Sequence, residues 1–96
     1  MYFVQFVMKT DCNQPRWEIR VDFTALGAPG YEERDDVQGC QDFCIFNLSC
    51  VGVDVDRDFN PKRCWWHYNE DDFRESNIYS QAGTTSYQLI SRCAES

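Results

Sequence analysis

The chain contains 96 residues, of which 43% are hydrophobic and 16% aromatic, and this size and composition predict a single domain with an apolar core. Sixteen acidic and nine basic residues give a net charge of −7 at pH 7, which disfavours nucleic acids and other polyanions as partners because like charges repel. The sequence also lacks the roughly 18 consecutive apolar residues that a membrane-spanning helix requires.

The first segment, Tyr2 to Met8, is apolar except for Gln5 and is predicted to form a strand. It lacks the basic leader and the small-residue cleavage site of a signal peptide. We therefore predict that Met1 is an expression start or an internal boundary, and that a leader or neighbouring domains have been left out.

The segment from Trp17 to Phe23 is predicted to form a half-buried strand. Its aromatic and aliphatic residues alternate with charged ones, which is the two-residue period of a strand with one buried face. The following segment, Ala25 to Gly30, contains two glycines and a proline and is predicted to be a loop.

Acidic residues followed by apolar residues at helical spacing predict a helix from about Asp35 to Phe46. Carboxylates in its first turn would stabilise the helix by interacting with the positive end of the helix dipole. Cys40 and Cys44 are four residues apart, so both sulfurs are predicted to lie on one face of the helix and to point into the core.

A β-hairpin is predicted after the helix. The run from Cys50 to Asp56 alternates between valines and small or acidic residues, which indicates a strand with one solvent-exposed face. Arg57 to Arg63 is predicted to be a loop around Asn60-Pro61, and Cys64 to Tyr68 is predicted to be the second strand.

The last part of the chain is predicted to end in a strand from Ser86 to Cys93, after loops at Asn69 to Asp72 and at Ala82-Gly83. Together these elements predict an α+β fold with one helix packed on an antiparallel β-sheet.

Six cysteines are the most informative feature of the chain. They stand at positions 12, 40, 44, 50, 64 and 93, with 27, 3, 5, 13 and 28 residues between successive cysteines. This density is typical of extracellular domains, in which an oxidising environment allows disulfides to support a small core. The spacing resembles that of the PAN/Apple domain family. Its members carry two cysteines one turn apart on a helix, a third after a short loop, a fourth on a following strand and an outer pair near the two ends.

The resemblance covers Cys12 to Cys93 and implies a small disulfide-rich PAN/Apple-like domain, with residues 1–11 as an added N-terminal strand or linker. It also implies the disulfides Cys12–Cys93, Cys40–Cys64 and Cys44–Cys50, whereas the sequence alone leaves all 15 pairings of six cysteines open. The resemblance further implies a secreted or ectodomain location and binding to proteins or carbohydrates.

Metal binding has little support in the sequence. The cysteines lack the close C-x2-C pairs of zinc sites, and His67 is the sole histidine. The acids between Asp54 and Asn60 are spaced like the first ligands of a calcium loop, but Phe59 and Trp65 stand where glycine and a bidentate glutamate belong. We therefore expect neither a metal ion nor another cofactor.

We also expect no enzymatic activity. Nucleophilic catalysis needs a base next to the nucleophile, and the one histidine lies in a Trp-rich strand near cysteines that are predicted to be oxidised. Carboxylate pairs carry no weight, since sixteen acids on a small surface form close pairs by chance.

The Trp-rich strand provides the candidate binding surface. If Cys64 faces the helix, Trp66 and Tyr68 face it too, and Trp65 and His67 lie on the opposite face of the sheet. A flat aromatic ring among hydrogen-bonding groups suits a protein hot spot or a sugar ring. The alternative is that the N-terminal strand covers Trp65. The predicted binding residues are the anchors Trp65 and His67 with the polar residues of the hairpin, namely Asp54, Asp56, Asp58, Lys62 and Arg63.

Asn47 begins an N-glycosylation sequence, Asn47-Leu48-Ser49, which predicts a glycan on the loop between Cys44 and Cys50 if the source is eukaryotic.

Two functions of different classes follow from these features. The first is a non-enzymatic extracellular recognition module that binds a protein or a glycan through the hairpin face. The second is a structural or assembly domain of a matrix or filament protein that self-associates through the Tyr2 to Met8 strand by edge addition.

Overall fold

The computed structural model describes residues 15–92. Within this range the chain forms one α-helix packed on a five-stranded antiparallel sheet, so the predicted α+β class is confirmed. The predicted strand Tyr2 to Met8 and the outer cysteines Cys12 and Cys93 lie outside the described residues. The elements are β1 (Arg16–Ala25), β2 (Glu32–Arg34), α1 (Val37–Phe46), β3 (Gly52–Asp56), β4 (Lys62–His67), two short 3-10 helices (Glu70–Phe73 and Glu75–Asn77) and β5 (Ile78–Ser91).

The sheet has the strand order β1-β5-β3-β4-β2. Strands β3 and β4 form the predicted hairpin, in which Val53 lies opposite Trp66 and Asp54 lies opposite Trp65. Residues that lie opposite each other in an antiparallel pair share one face of the sheet. Every alternate residue therefore belongs either to the face that α1 covers, called the helix face below, or to the opposite face, called the polar face.

The helix begins two residues later than the sequence pattern predicted. Asp36 is its N-cap, and the Gly39 N–H donates to the Asp36 carboxylate at 2.8 Å. This hydrogen bond satisfies a backbone donor that would otherwise lack a partner in the first turn. Glu32 and Glu33 lie in β2, where their backbone pairs with β4, and the prediction of acids in the first helical turn was wrong, because that turn contains none.

The C-terminal end of α1 is closed by a residue that is distant in sequence. The Arg92 guanidinium donates to the carbonyl oxygens of Cys44, Ile45, Asn47 and Cys50, at distances between 2.7 and 3.3 Å. The last carbonyls of a helix lack partners inside the helix, and a cation also suits the negative end of the helix dipole. Arg92 therefore ties the end of α1 to the end of β5.

The core lies between α1 and the helix face of the sheet. Its fully or almost fully buried residues are Cys40, Cys44, Cys50, Val53, Val55, Cys64 and Trp66. Disulfides join Cys40 to Cys64 and Cys44 to Cys50, which are the two inner pairs that the family resemblance implies. The first links the helix to β4, and the second closes the turn between α1 and β3.

Strand β5 is longer than predicted, because it begins at Ile78 and not at Ser86. The prediction of a loop at Ala82-Gly83 was wrong. Here the β1–β5 ladder contains a bulge, in which Asp22 stands opposite residues 81–84. Asp22 and Gly83 both have positive φ angles, of 65° and 90°, so glycine suits the second position and aspartate tolerates the first.

The bulge is held together by Arg57. Its guanidinium donates to the Asp22 carboxylate and to the Thr85 hydroxyl, both at 2.7 Å, and its backbone N–H donates to the Gly83 carbonyl. Ala82-Gly83, a pair that usually indicates a turn, therefore lies inside a strand. This is possible because Arg57, which is distant in sequence, forms hydrogen bonds with groups that the bulge leaves without a partner in the β1–β5 ladder.

Strand β1 is only partly buried. Trp17 packs against the core and meets Tyr87 edge to face at 6.1 Å, as the predicted half-buried strand requires. Ile19 and Val21 share its face but are more than half exposed. Within residues 15–92 the main contacts of α1 are with β2, β3 and β4, so helix cover does not extend over these residues.

Candidate functional site

The alternation of β4 places its aromatic residues on the two faces as predicted. Trp66 lies on the helix face, where its ring is 4.2 Å from the Phe43 ring and its indole N–H donates to the Cys40 carbonyl at 2.9 Å. Trp65 and His67 lie on the polar face. Tyr68 follows the end of β4 and is exposed.

His67 lies at the bottom of the polar face and is fully buried. Its Nε2 is 3.0 Å from Asp54 Oδ2, and its Nδ1 is 2.9 Å from Asp72 Oδ2. Burial lowers the pKa of His67, but the hydrogen bonds and charges of Asp54 and Asp72 outweigh burial, so that its pKa is raised above the ordinary value. Both ring nitrogens are thus engaged by carboxylates.

The prediction that His67 and Asp54 lie on a solvent-exposed strand face was therefore wrong. Their exposed fractions are 0% and 1%. The chain that follows β4 folds back over this face: Phe73 from the first 3-10 helix packs on the His67 ring at 4.9 Å between centroids. Alternation identified the shared face correctly, but it carried no information on what covers that face.

Gly52 permits this cover. A Cβ atom at Gly52 would collide with the Phe73 ring and would lie 2.7 Å from the carbonyl oxygen of Tyr87. Asn69 starts the covering turn, because its side chain accepts from the Asp71 N–H at 2.9 Å. Asn69 followed by acids was recognised in the sequence as a loop signal, yet nothing in it indicated that Asp72 would reach His67.

Asp54 is the centre of a buried hydrogen-bond network. Its Oδ2 accepts from the Ala25 N–H at 2.8 Å and from the Thr24 hydroxyl at 3.0 Å, in addition to its contact with His67. Its Oδ1 is also buried, but it accepts no hydrogen bond from the part of the chain that the structure describes. The end of β1 is thus anchored to one oxygen of this carboxylate, and the other oxygen has unused capacity.

A pocket of about 290 Å³ opens above this network. The Asp56 carboxylate stands in it, accepting from the Trp65 indole N–H at 2.9 Å and from the Thr84 hydroxyl at 2.7 Å. We call it the acidic pocket, because the described residues that line it include two carboxylates and no basic side chain. Its lining residues are Thr24, Ala25, Leu26, Gly27, Ala28, Asp54, Asp56, Trp65, Gln81 and Thr84.

A row of stacked side chains extends from the acidic pocket across the β4–β2 edge of the sheet. The Tyr31 ring lies 4.8 Å from the Trp65 ring, and the Arg63 guanidinium lies 4.8 Å from Tyr31 and 3.9 Å from the Phe59 ring. Tyr31 and Phe59 are both exposed. We call these four residues the aromatic row. Sequence reasoning missed Tyr31 and Phe59, because neither is near Trp65 in an alternating pattern.

The structure separates the predicted binding residues into three groups. Trp65, Asp54 and Asp56 line the acidic pocket, Arg63 joins the aromatic row, and His67 is fully buried in contact with Asp54. The two other predicted residues are elsewhere. Lys62 donates to the Phe59 carbonyl and the Asn60 side chain within its own loop, and Asp58 is exposed beside the bulge at Gly83.

Among residues 15–92, no group of three or more His, Cys, Asp or Glu side chains is arranged to hold a metal ion. The acids of the calcium-like spacing are engaged separately: Asp54 bonds to His67 and Asp56 bonds to Trp65, while Asp58 lies beside Gly83.

Asn47, the predicted glycosylation site, is the C-cap of α1, and its side-chain oxygen accepts from the Ser49 N–H at 3.1 Å. Its neighbours Phe46 and Leu48 are 82% and 74% exposed and line a shallow pocket with Phe43. This apolar pair is a second surface feature that the sequence did not indicate.

No helix in the described range is both long and apolar enough to cross a membrane. No family model matches the chain, and neither a curated protein nor a solved structure matches it.

Proposed function

We propose that this chain is a non-enzymatic extracellular recognition domain of the PAN/Apple type, which binds a protein or carbohydrate partner through the aromatic row and the acidic pocket. The observation that carries the proposal is the row itself: exposed Tyr31 and Phe59 sandwich Arg63 and continue into Trp65. Tyrosine, tryptophan and arginine are the residues that most often carry binding energy at protein interfaces.

An extracellular location is supported by the two disulfides. Reducing compartments disfavour such links, and both pairs occur in an 11.3 kDa chain whose core is small.

A protein partner fits the row better than a sugar does. The Tyr31 and Trp65 rings are tilted by 48° to each other, so the row offers no wide flat platform for a sugar ring. The row also joins a cation to two carboxylates of the neighbouring pocket, which favours a partner that carries both apolar and charged side chains.

Non-enzymatic function is supported by His67. Both of its nitrogens are within 3.0 Å of carboxylate oxygens, so neither nitrogen is free to accept a proton from a nucleophile. It acts in this proposal as a structural support beneath the pocket.

The test is selection of binding peptides from a displayed random library, together with a glycan array, using the wild type and the variants Tyr31→Ala, Tyr79→Ala and Trp65→Phe. Tyr31→Ala removes the centre of the row, and Tyr79→Ala removes a similarly exposed tyrosine from β5 as a matched control. We expect binders of the wild type to lose at least tenfold in affinity for Tyr31→Ala and to keep their affinity for Tyr79→Ala.

Equal affinities for the two variants would contradict the proposed surface. An array signal that is lost in Trp65→Phe, without any peptide binders, would instead establish a carbohydrate partner. Silence in both assays would refute the recognition function.

The assembly function has one structural observation in its favour. Strand β1 is at the edge of the sheet within the described residues, and it exposes the apolar residues Ile19 and Val21. The assembly function is tested by removing residues 1–10 and measuring self-association by sedimentation. Loss of self-association in a folded monomer would favour assembly, whereas unfolding would make the segment part of the core.

A further inference from the structure

The acidic pocket contains a buried acceptor without a donor. Asp54 is 1% exposed and lines the pocket, and its Oδ1 receives no hydrogen bond from residues 15–92. Buried carboxylate oxygens are almost always hydrogen-bonded, and a buried charge is costly unless it is paired. A ligand that brings a donor would satisfy this oxygen, and a positively charged donor satisfies it best.

The charge around the pocket also favours a cation. Asp54 and Asp56 are both in the lining, and Asp72 lies behind them on the far side of His67. The His67 imidazolium offsets one of these three negative charges when it is protonated. Among residues 15–92, no lysine or arginine lines the pocket, and the donors to Asp56 are the neutral Trp65 indole and Thr84 hydroxyl.

The walls of the pocket are suited to an apolar stem. Leu26, Ala28 and Trp65 are among the residues that line it. A tryptophan face attracts ammonium and guanidinium groups more strongly than other aromatic faces do. A volume of 290 Å³ is at the lower limit for small-molecule pockets, so that one side chain fills it better than an oligosaccharide does.

We propose that the acidic pocket binds the cationic side chain of a lysine or arginine in a protein partner, with the charged group between Asp54 and Asp56 and the methylene stem along Trp65. This inference rests on the proposed recognition function and names the chemistry that the partner presents. The aromatic row then contacts the surface around that side chain.

The test is a titration of the folded domain followed by NMR through the Trp65 indole N–H, which lies in the pocket wall. The probes are N-acetyl-lysine methylamide, N-acetyl-arginine methylamide and the uncharged N-acetyl-norleucine methylamide. We expect a saturable shift with one or both cationic probes, at an apparent Kd at least tenfold lower than for norleucine. The stronger of the two responses identifies the preferred side chain.

Two pairs of variants locate the binding. Asp54→Asn should weaken binding at least tenfold, while Asp58→Asn, an exposed acid outside the pocket, should leave it unchanged. Because Asp54 also supports β1, Asp54→Asn could fail to fold. Gln81→Lys tests the site from the exposed rim, since it supplies a competing cation, and Gln81→Met is its neutral control.

Equal shifts with lysine, arginine and norleucine probes, the absence of any shift, or binding unaffected by Gln81→Lys would each overturn the proposal. A crystal structure would also overturn the proposal if an ordered water donates a hydrogen bond to Asp54 Oδ1 and remains there in the presence of the lysine probe. If the probes fail while Tyr31-dependent peptide binding persists, only the pocket assignment is lost. If the probes bind while Tyr31 has no effect, the recognition surface is wrong and the cation site stands.

Discussion

The two faces of the central hairpin are both buried, but by different means. On the helix face, Val53 and Val55 pack with Trp66 beneath α1, and two disulfides reinforce this layer. On the polar face, Asp54 and His67 are equally inaccessible, yet hydrogen bonds and charge hold them. An alternating strand pattern thus distinguishes the two faces of the sheet, but it does not establish that the second face is exposed to solvent.

The difference also has a functional meaning. An apolar layer is held by many small, non-directional contacts, so it tolerates small shifts, whereas a buried polar network depends on the geometry of each hydrogen bond. The acidic pocket and the aromatic row are both on the polar side of the sheet. The disulfide-linked helix face thus provides the scaffold on which the acidic pocket and the aromatic row are positioned.

The largest expected effect is on the helix face. Replacing Cys40 and Cys64 together by alanine removes a disulfide between residues that are 24 positions apart. The loop-entropy model predicts that this loss lowers the unfolding free energy by about 3.5 kcal/mol. The matched replacement of Cys44 and Cys50 removes a disulfide between residues that are 6 positions apart and should lower the unfolding free energy by about 2 kcal/mol. Urea unfolding of both variants, followed by tryptophan fluorescence, measures the difference.

Equal losses in the two double variants would show that chain closure is not what the disulfides contribute. The Trp65 indole resonance adds a sharper reading. If it shifts as much as that of Trp66 when Cys40 and Cys64 are replaced, the two faces are not independent.

The next effect is on the cover of the polar face. Gly52→Ala places a methyl group against the Phe73 ring, and overpacking of this kind costs about 1–3 kcal/mol. Gly30→Ala is the control, because nothing lies within 4 Å of its added Cβ. Thermal unfolding should show a lower Tm for Gly52→Ala alone. A Tm for Gly52→Ala as high as that of the control would mean that Phe73 does not seal the face.

A third effect depends on pH and distinguishes the faces by charge. The pKa of His67 is raised above its ordinary value of about 6.5, so the folded state binds this proton more tightly than the unfolded state does. The resulting stability is fully present below about pH 6.5 and is lost as the pH rises through the higher folded pKa. Denaturant unfolding between pH 5 and 9 measures this loss.

His67→Gln should flatten the pH profile in that range, and an unchanged slope would assign the pH dependence to other groups. Asp22 does not contribute to the pH dependence of stability in that range. A hydrogen bond from Arg57 lowers the pKa of Asp22, so its contribution is present above its ordinary value and is lost only in more acidic solution.

The smallest effect is at the start of α1. Asp36→Ala removes the side chain that accepts from Gly39 N–H, and loss of such a cap costs about 1 kcal/mol. Asp35→Ala removes a neighbouring acid that is not the N-cap and should change the unfolding free energy much less. Equal losses in the two variants would assign the effect to charge instead of to the cap.

The elements that could be predicted from the sequence are those whose signals are local. The hairpin, the helix containing Cys40 and Cys44, and the opposite facing of Trp65 and Trp66 all follow from spacing alone. Only the family resemblance indicated the two inner disulfides. No local signal could indicate that Phe73 and Asp72 return to His67, since contacts of this kind arise when distant segments meet.

The candidate site was predicted in part for the same reason. Trp65, Asp54 and Asp56 were brought together by alternation and register, and they line one pocket. Tyr31 joined them from a loop whose glycines and proline indicated only irregular structure. Arg63 was expected as part of a polar surround, but it stacks between two rings.

The capping of α1 by Arg92 also orders events in time. The four carbonyl oxygens that receive its hydrogen bonds precede it by 42 to 48 residues. During synthesis the end of the helix and the adjoining Cys44–Cys50 turn must therefore wait for β5 before they acquire these donors. The last strand of the described chain thus supplies the donors that complete the end of a helix formed by residues far earlier in the sequence.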